Sequence, residues 1–306
     1  MRRPILLIFL MFLTGLNPLA AKAAEPEAPF LAIMAAYNAE TEVLMDVFGI
    51  DPATADQRSV KGITFYEIEV HGLPAVVFQT NMSPTNAAMS TQIALYEYPQ
   101  ITHVLFAGVA GAVDPQWQLG DVVIAEKWAF HAEGAYFNPT PWGDGHIIAE
   151  YFEPKFPNFG MFYPDATLVS REGIDGVVAK PFFAINPKLL ELSRQAIADI
   201  GPLMVGEREA QLHVGGVGVT GPVFMDNAAY REYLHATWDA EIVEMETAAY
   251  ALVCWVNEVP FLAVRGISDL AGGQQGKNHE REYAPLAARH AAVVLKALIA
   301  EMAEES

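Results

Sequence analysis

The sequence predicts an α/β fold: a single domain of three layers, α/β/α, around a mixed, largely parallel sheet. Two observations carry this. Segments with helical spacing alternate with short apolar runs along most of the chain. Most of those runs are continuous rather than alternating, which is how strands buried on both faces read. No internal repeat is present.

The elements follow in order. "FLAIMAAY" (30–37) is the first buried strand, and "NAETEVLMDVF" after it has helical spacing. "ITFYEIEV" and "LPAVVFQT" are two strands around a His71-Gly72 turn. "SPTNAAMSTQIALYEY" opens a helix, with Ser83 expected as N-cap and Pro84 at the first helical position. "ITHVLFAGVAGAV" is a strand expected to run into a glycine turn, and "GDVVIAEKWAF" is another strand. Residues 129–180 are rich in aromatic residues, Pro and Gly and keep no clear period, so they are expected to form a long irregular insert. Beyond it come a helix at "NPKLLELSRQAIADI", a strand at "LHVGGVGVTG" and a short helix at "DNAAYREYLHAT". The buried segment "IVEMETAAYALVC", the strand "PFLAVRGISD" and a long closing helix from "EREYAP" complete the chain.

The first 23 residues read as a secretory signal peptide. Arg2 and Arg3 precede an apolar stretch from Ile5 to Leu16, and Ala21 and Ala23 have the spacing of a cleavage site. The apolar stretch falls short of the ~20 residues that span a bilayer. Cleavage near Ala23 would leave residues 24–306 as the mature domain, periplasmic or secreted. That length suits one large α/β domain or two small ones. Loss of Arg2, Arg3 and Lys22 takes the formal charge from −19 to −22. So acidic a surface argues against nucleic acid or anionic lipid as partner. The single cysteine, Cys254, cannot form an internal disulfide and reads as a small buried hydrophobe.

In open α/β sheets ligands bind beyond the carboxyl ends of strands. Four such ends hold candidate residues: Glu40 past the first strand, the small residues 107–112 around Gly108, the pair Glu244 and Glu246, and Arg265, Ser268 and Asp269 in "AVRGISD". Small residues let a ligand approach the backbone. In an extended segment Glu244 and Glu246 would share a face, with Met245 on the other. The plainer readings are a carboxylate at a helix N-terminus, favoured by the dipole, and an Arg265–Asp269 ion pair closing a strand.

"VEMETAAYALVC" followed by "NEVPFLAVRGISD" resembles the C-terminal signature of the nucleoside phosphorylase/nucleosidase superfamily. "LAIMAAYNAETEVL", "FAGVAGAVDPQWQLGDVVIAEKW" and "GVTGPVFMDNAAYREYL" resemble its opening strand, glycine turn and base-binding segment, the last in a form also seen in plant bark-storage relatives. Within the superfamily the sequence is most similar to 5′-methylthioadenosine/S-adenosylhomocysteine nucleosidases. The resemblance runs from about 31 to 300 and is poor over 129–180. It implies hydrolysis of a purine nucleoside without metal or cofactor, in a homodimer or larger homo-oligomer. It implies Glu246 as acceptor of the ribose 2′ and 3′ hydroxyls, Asp269 as the acid that protonates N7, and Glu40 as the carboxylate that orients water. Arg265 would hold that water or the Glu. Phe224 would stack on the base, the Met225 backbone would bond its edge, Met245 would pack beneath the ribose, and Gly108 and Ser268 would complete the pocket. Glu244 receives no catalytic role and reads as structural.

The sequence departs from the family at Val109, where many relatives carry Ser or Thr, and at Pro222, near a usual Asp. The "LAGG" after Asp269 reads as a loose loop, and the insert is expected to reshape the part of the pocket that takes the 5′ substituent. Two competing readings remain. Phosphorolysis needs a cationic site for phosphate; the resemblance implies Arg residues in the N-terminal strand loops, but residues 31–128 offer only Arg58, Lys61 and Lys127, none in those loops. A nucleoside-binding or storage-like protein would keep the pocket without turnover.

Overall fold

The computed structural model describes residues 28–306; the expected signal peptide lies outside them. The order is β1 (Leu31–Ala35), α1 (Asn38–Phe48), β2 (Asp56–Val60), β3 (Ile63–Val70), β4 (Leu73–Gln79), α2 (Pro84–Glu97), β5 (His103–Ala112), β6 (Val122–Ile124) and β7 (Lys127–Phe130). The insert adds four short strands, β8 (Gly134–Tyr136), β9 (Phe162–Pro164), β10 (Thr167–Val169) and β11 (Val178–Lys180). Then follow β12 (Phe183–Ala184), α3 (Pro187–Asp199), β13 (Met204–Val205), β14 (Arg208–Glu209), β15 (Leu212–Val214) and β16 (Val217–Thr220). The chain closes with α4 (Ala228–Trp238), β17 (Ala240–Glu244), α5 (Thr247–Asn257), β18 (Phe261–Asp269) and α6 (Glu280–Glu304).

A 12-stranded mixed sheet organises these elements. At its centre β4, β1, β5 and β18 run parallel. Antiparallel pairs lie at the β2–β3–β4 edge and where β17 meets β5. The central strands are buried on both faces, as their unbroken apolar runs require: every residue of β1 and β18 is buried. Helices α1, α3 and α6 pack together on one side and α2 with α5 on the other.

Two expected strands are each broken in two. "GDVVIAEKWAF" divides into β6 and β7, and "LHVGGVGVTG" divides into β15 and β16 at Gly215-Gly216, both at positive φ. The glycine turn is not a turn. Gly108 and Gly111 lie inside β5, which continues to Ala112.

Register positions the site. Parallel pairing puts the carboxyl ends of β1, β5 and β18 on one edge. At that edge Gly111 lies opposite both Val243 of β17 and Asp269 of β18. A register shift between Ile267 and Asp269 accompanies this pairing. Bulges of this kind re-aim a side chain beside a functional site.

Candidate active site

A cavity of about 740 Å³ opens at these strand ends. Glu40, Met245, Glu246, Phe224, Met225, Ser268 and Asp269 all line it. Gly108 and Arg265 are not among its lining residues. Both sit just behind the wall: Gly108 thus lacks its expected contact with substrate, and Arg265 acts on the neighbouring glutamates.

Gly108 acts by lacking a side chain. A Cβ there would stand 2.5 Å from Glu40 Oε1 and 2.6 Å from an Arg265 guanidinium nitrogen. The space it leaves lets Glu40 lie against β5. There the Val109 amide donates to Oε1 at 2.7 Å and the Ala36 amide to Oε2 at 2.7 Å. Val109 thus serves through its backbone. Burial pushes the Glu40 carboxyl above its ordinary range, against the opposing pull of Arg265 and these amides.

Arg265 is fully buried and pairs with Glu244, not with Asp269. The same nitrogen lies 3.6 Å from Glu246, and the guanidinium stacks over Phe106 at 4.1 Å. Glu244 is correspondingly saturated. It accepts from Thr220 Oγ1, the Glu246 amide (2.9 Å), and the Thr247 amide and hydroxyl (both 3.0 Å). Glu244 is therefore the structural member of the pair, as expected, although its carboxylate also borders the cavity. The extended segment expected for the two glutamates is absent. Glu244 ends β17 and Glu246 is the N-cap residue of α5.

Glu246 Oε1 accepts from the Ser83 amide at 2.9 Å. This explains a discrepancy at α2. Ser83 stands at its N-cap, yet φ is +93° and its side chain makes no cap bond. The backbone is turned to serve Glu246 instead. The Glu246 pKa is raised to about 8, first by burial, then by repulsion from Glu244, with Arg265 opposing. Two buried carboxylates around one guanidinium hold a net negative charge, and retaining a proton relieves it.

Asp269 is buried at the end of β18. It accepts from the Ala271 amide (2.8 Å), Ser268 Oγ (3.0 Å) and Asn278 Nδ2 (3.4 Å). Burial nevertheless outweighs these bonds and raises its pKa. Ser268 therefore orients Asp269. The "LAGG" loop is not loose: Gly272 has φ +87° and packs on the Asn227 backbone, and a Cβ on Gly273 would meet Arg231 at 2.5 Å. Asn278 also donates to Asp226 Oδ1 at 3.1 Å, and its own oxygen accepts the Glu280 amide at 2.7 Å.

Phe224 is 59% exposed at the cavity rim, with its ring free to meet a ligand, whereas Met225 is buried beneath it. The insert contributes no lining residue, which corrects the expected reshaping of the pocket. Its rings pack on α4 instead. Phe156 lies 5.4 Å from Trp238, Phe159 lies 4.9 Å from Tyr230, and the Tyr233 hydroxyl donates to the Pro157 carbonyl at 2.7 Å. Sequence reasoning missed the cavity residues Tyr37, Met82, Glu280 and Arg281. Tyr37 had a signal, three residues before Glu40 at the same strand end.

The Phosphorylase superfamily model matches residues 30–304. This chain belongs to that superfamily. It is 26% identical over 244 residues to a 5′-methylthioadenosine/S-adenosylhomocysteine nucleosidase of Marinomonas sp., covering 79% of this chain and 88% of the relative. It is 28% identical over 249 residues to one of Mycobacterium tuberculosis, covering 80% and 88%. The fold matches Helicobacter pylori futalosine hydrolase with TM-score 0.66 and 20% identity, over 89% of this chain and 97% of that one. It also matches the 5′-methylthioadenosine/S-adenosylhomocysteine nucleosidase of Colwellia psychrerythraea in complex with adenine, with TM-score 0.67 and 20% identity, over 90% and 96%. The superfamily membership confirms the fold that the motifs implied.

Proposed function

We propose that this chain is an exported purine nucleosidase that hydrolyses the N-glycosidic bond of 5′-methylthioadenosine/S-adenosylhomocysteine-type nucleosides, giving adenine and a thioribose. The observation that carries this reading is the convergence of Glu40, Glu246 and Asp269 on one cavity, from α1 just past β1, the start of α5 just past β17 and the end of β18, each with a raised pKa. N-glycoside cleavage passes through an oxocarbenium-like state, for which separate carboxyl groups divide the acid and water-activating roles. Burial shifts Asp269 toward its protonated form, from which it delivers a proton to N7, so the base leaves neutral. Glu40, held on both oxygens by backbone amides, directs water at the anomeric carbon. Glu246 accepts from the ribose diol, and Met245 and Phe224 pack on the ribose and base.

The cavity lining also favours water over phosphate. It offers an anion one basic residue, Arg281, and any of its carboxyl groups that is ionised would repel phosphate. A like charge at about 4 Å opposes an anion by about 4 kcal/mol at an effective dielectric of about 20. The outward rings of the insert, Trp142 and Tyr151, are the candidate surface for a second copy. Free adenine release from methylthioadenosine, with and without phosphate, tests the reaction. Release independent of phosphate is expected; release only with phosphate would make the chain a phosphorylase, and none would make it a binding protein. A mature N-terminus near residue 24 on protein from the native host would support export, and an intact Met1 would oppose it.

A further inference from the structure

The base and the ribose diol leave one stretch of the cavity wall without a role. Asp269 and Phe224 bound the base, and Glu246 and Met245 bound the diol. The unassigned lining residues include Tyr37, Met82, Glu280, Arg281, Ala284 and Pro285. Two of these, at the start of α6, are charged and adjacent. The Tyr37 hydroxyl donates to Glu280 Oε1 at 3.3 Å, so the Glu280 carboxylate is held against the end of β1. Arg281 is exposed and makes no ion pair among the described residues. It is also the one basic residue in a lining with five carboxylates.

We infer that Glu280 and Arg281 form a subsite for an α-amino-acid group at the far end of the 5′ substituent, making the chain selective for S-adenosylhomocysteine over methylthioadenosine. This rests on the nucleosidase reading above. An ammonium and a carboxylate on one carbon match an acidic and a basic side chain that line the same cavity at one helix end, each pair forming a charge-assisted hydrogen bond. The other chemistries fit less well. A purely anionic tail would meet Arg281 but also Glu280 and the acidic cavity behind it. A purely apolar tail would leave both charges unused. A zwitterion carries no net charge into the acidic cavity.

The place of these residues in the fold supports the assignment. The α6 start is tied to the acid end of the site, because Asn278 donates to Asp269 and accepts the Glu280 amide. A ligand whose base reaches Asp269 therefore has its 5′ tail within the territory of the same helix end. Nothing in the packing requires the two charges. Arg281 is exposed, and Glu280 is half-buried with its hydroxyl partner as its one side-chain contact among the described hydrogen bonds.

The test compares S-adenosylhomocysteine, its analogue lacking the amino group, and methylthioadenosine. Both kcat/KM for adenine release and equilibrium affinity are measured on the unaltered chain, Arg281→Ala and Glu280→Gln. Gln retains an acceptor for Tyr37. The expected result is a preference for S-adenosylhomocysteine over methylthioadenosine that falls about tenfold in each variant, the scale of one charge-assisted hydrogen bond. With the deaminated analogue, Arg281→Ala keeps its effect and Glu280→Gln loses it. An unaltered preference in both variants overturns the inference. If no adenine is released from any ligand, the nucleosidase reading fails instead, and the affinity ratios still decide whether the subsite exists.

Discussion

At the carboxyl end of β17 the side chains of Glu244 and Arg265 are 2% and 0% exposed, while in the insert Trp142 and Tyr151 are 82% and 90% exposed. The usual sorting, with charges in water and rings inside, is reversed in both places. In the first, every buried charge has partners: Arg265 lies between Glu244, Glu246 and the face of Phe106. In the second, the rings divide. Phe156 and Phe159 turn inward onto α4, and Trp142 and Tyr151 turn outward. The catalytic edge is thus a closed polar network, in which one lost member strands the rest. The insert is a buttress of many small contacts, in which one lost member is diluted. Substitutions should therefore have large effects at the strand ends and graded ones in the insert.

The largest effect is expected at Asp269. Asp269→Asn keeps the shape and removes the proton, and should slow release of adenine by ~10²-fold or more. A nitrophenyl riboside, whose leaving group needs no protonation, should be spared most of that loss. Equal losses on both, with a lowered melting temperature, would reduce Asp269 to a structural role. Next comes Glu244→Gln, which removes the charged acceptor shared by Arg265, Thr220, Thr247 and the Glu246 amide and leaves Glu246 as the remaining carboxylate beside the guanidinium. It should destabilise the fold by about 1–3 kcal/mol, the scale of lost charged hydrogen bonds, measured by urea unfolding. Glu246→Gln should instead act mainly on substrate binding and turnover. If the two variants unfold alike, the division between a structural and a ligand-binding glutamate is wrong.

A pH series sharpens the same contrast. Glu246 has a folded pKa of about 8, above its ordinary value. The ligand-free fold therefore binds more protons than the unfolded chain, and this stability is full below about pH 4.5 and lost as pH rises toward 8. Glu40 and Asp269 shift in the same direction. His103, His131 and His290 shift the opposite way and raise stability as they lose protons, so the contrast is read as a difference: Glu246→Gln should gain melting temperature relative to the unaltered chain between pH 5 and 8, by about 2–4 °C per kcal/mol relieved. An identical slope in the variant would show that Glu246 does not carry the proton.

In the insert, Phe159→Ala should cost about 1–2 kcal/mol, since its ring is 37% exposed and leans on Tyr230 and Tyr233. Because α4 follows the segment that carries Phe224 and Met225, KM should rise more than kcat falls. The smallest effect should be Trp142→Ala, within about 0.5 kcal/mol on the fold. If it changes the sedimenting mass, the outward rings are an interface between copies.

How far the sequence foretold this depends on where each signal is written. The central strands were legible because burial on both faces leaves an unbroken apolar run, as in "LAIMA" and "FLAVRGISD". β2, "DQRSV", was not, because it is an exposed edge strand held by backbone pairing to β3. Glu40, Glu246 and Asp269 were legible as carboxylates beside apolar runs. The partner of Arg265 was not: Glu244 lies on another strand 21 residues away, and only the register of β17 and β18 on β5 brings them together. Gly108 was noticed for a contact it does not make, since its lack of a side chain serves Glu40 and Arg265.

The clustering of Glu246 with Glu244 around one guanidinium has a calorimetric consequence. A diol that donates both hydroxyls to Glu246 needs an acceptor-only carboxylate, but the empty site near neutral pH holds that group protonated. Ligand uptake then expels a hydrogen ion to the medium. The apparent heat of binding should change with the ionisation enthalpy of the buffer, so that phosphate and Tris solutions at one pH give different values. The affinity should tighten as the solution is made more alkaline toward pH 8, and a ligand lacking the 2′ and 3′ hydroxyls should show neither behaviour.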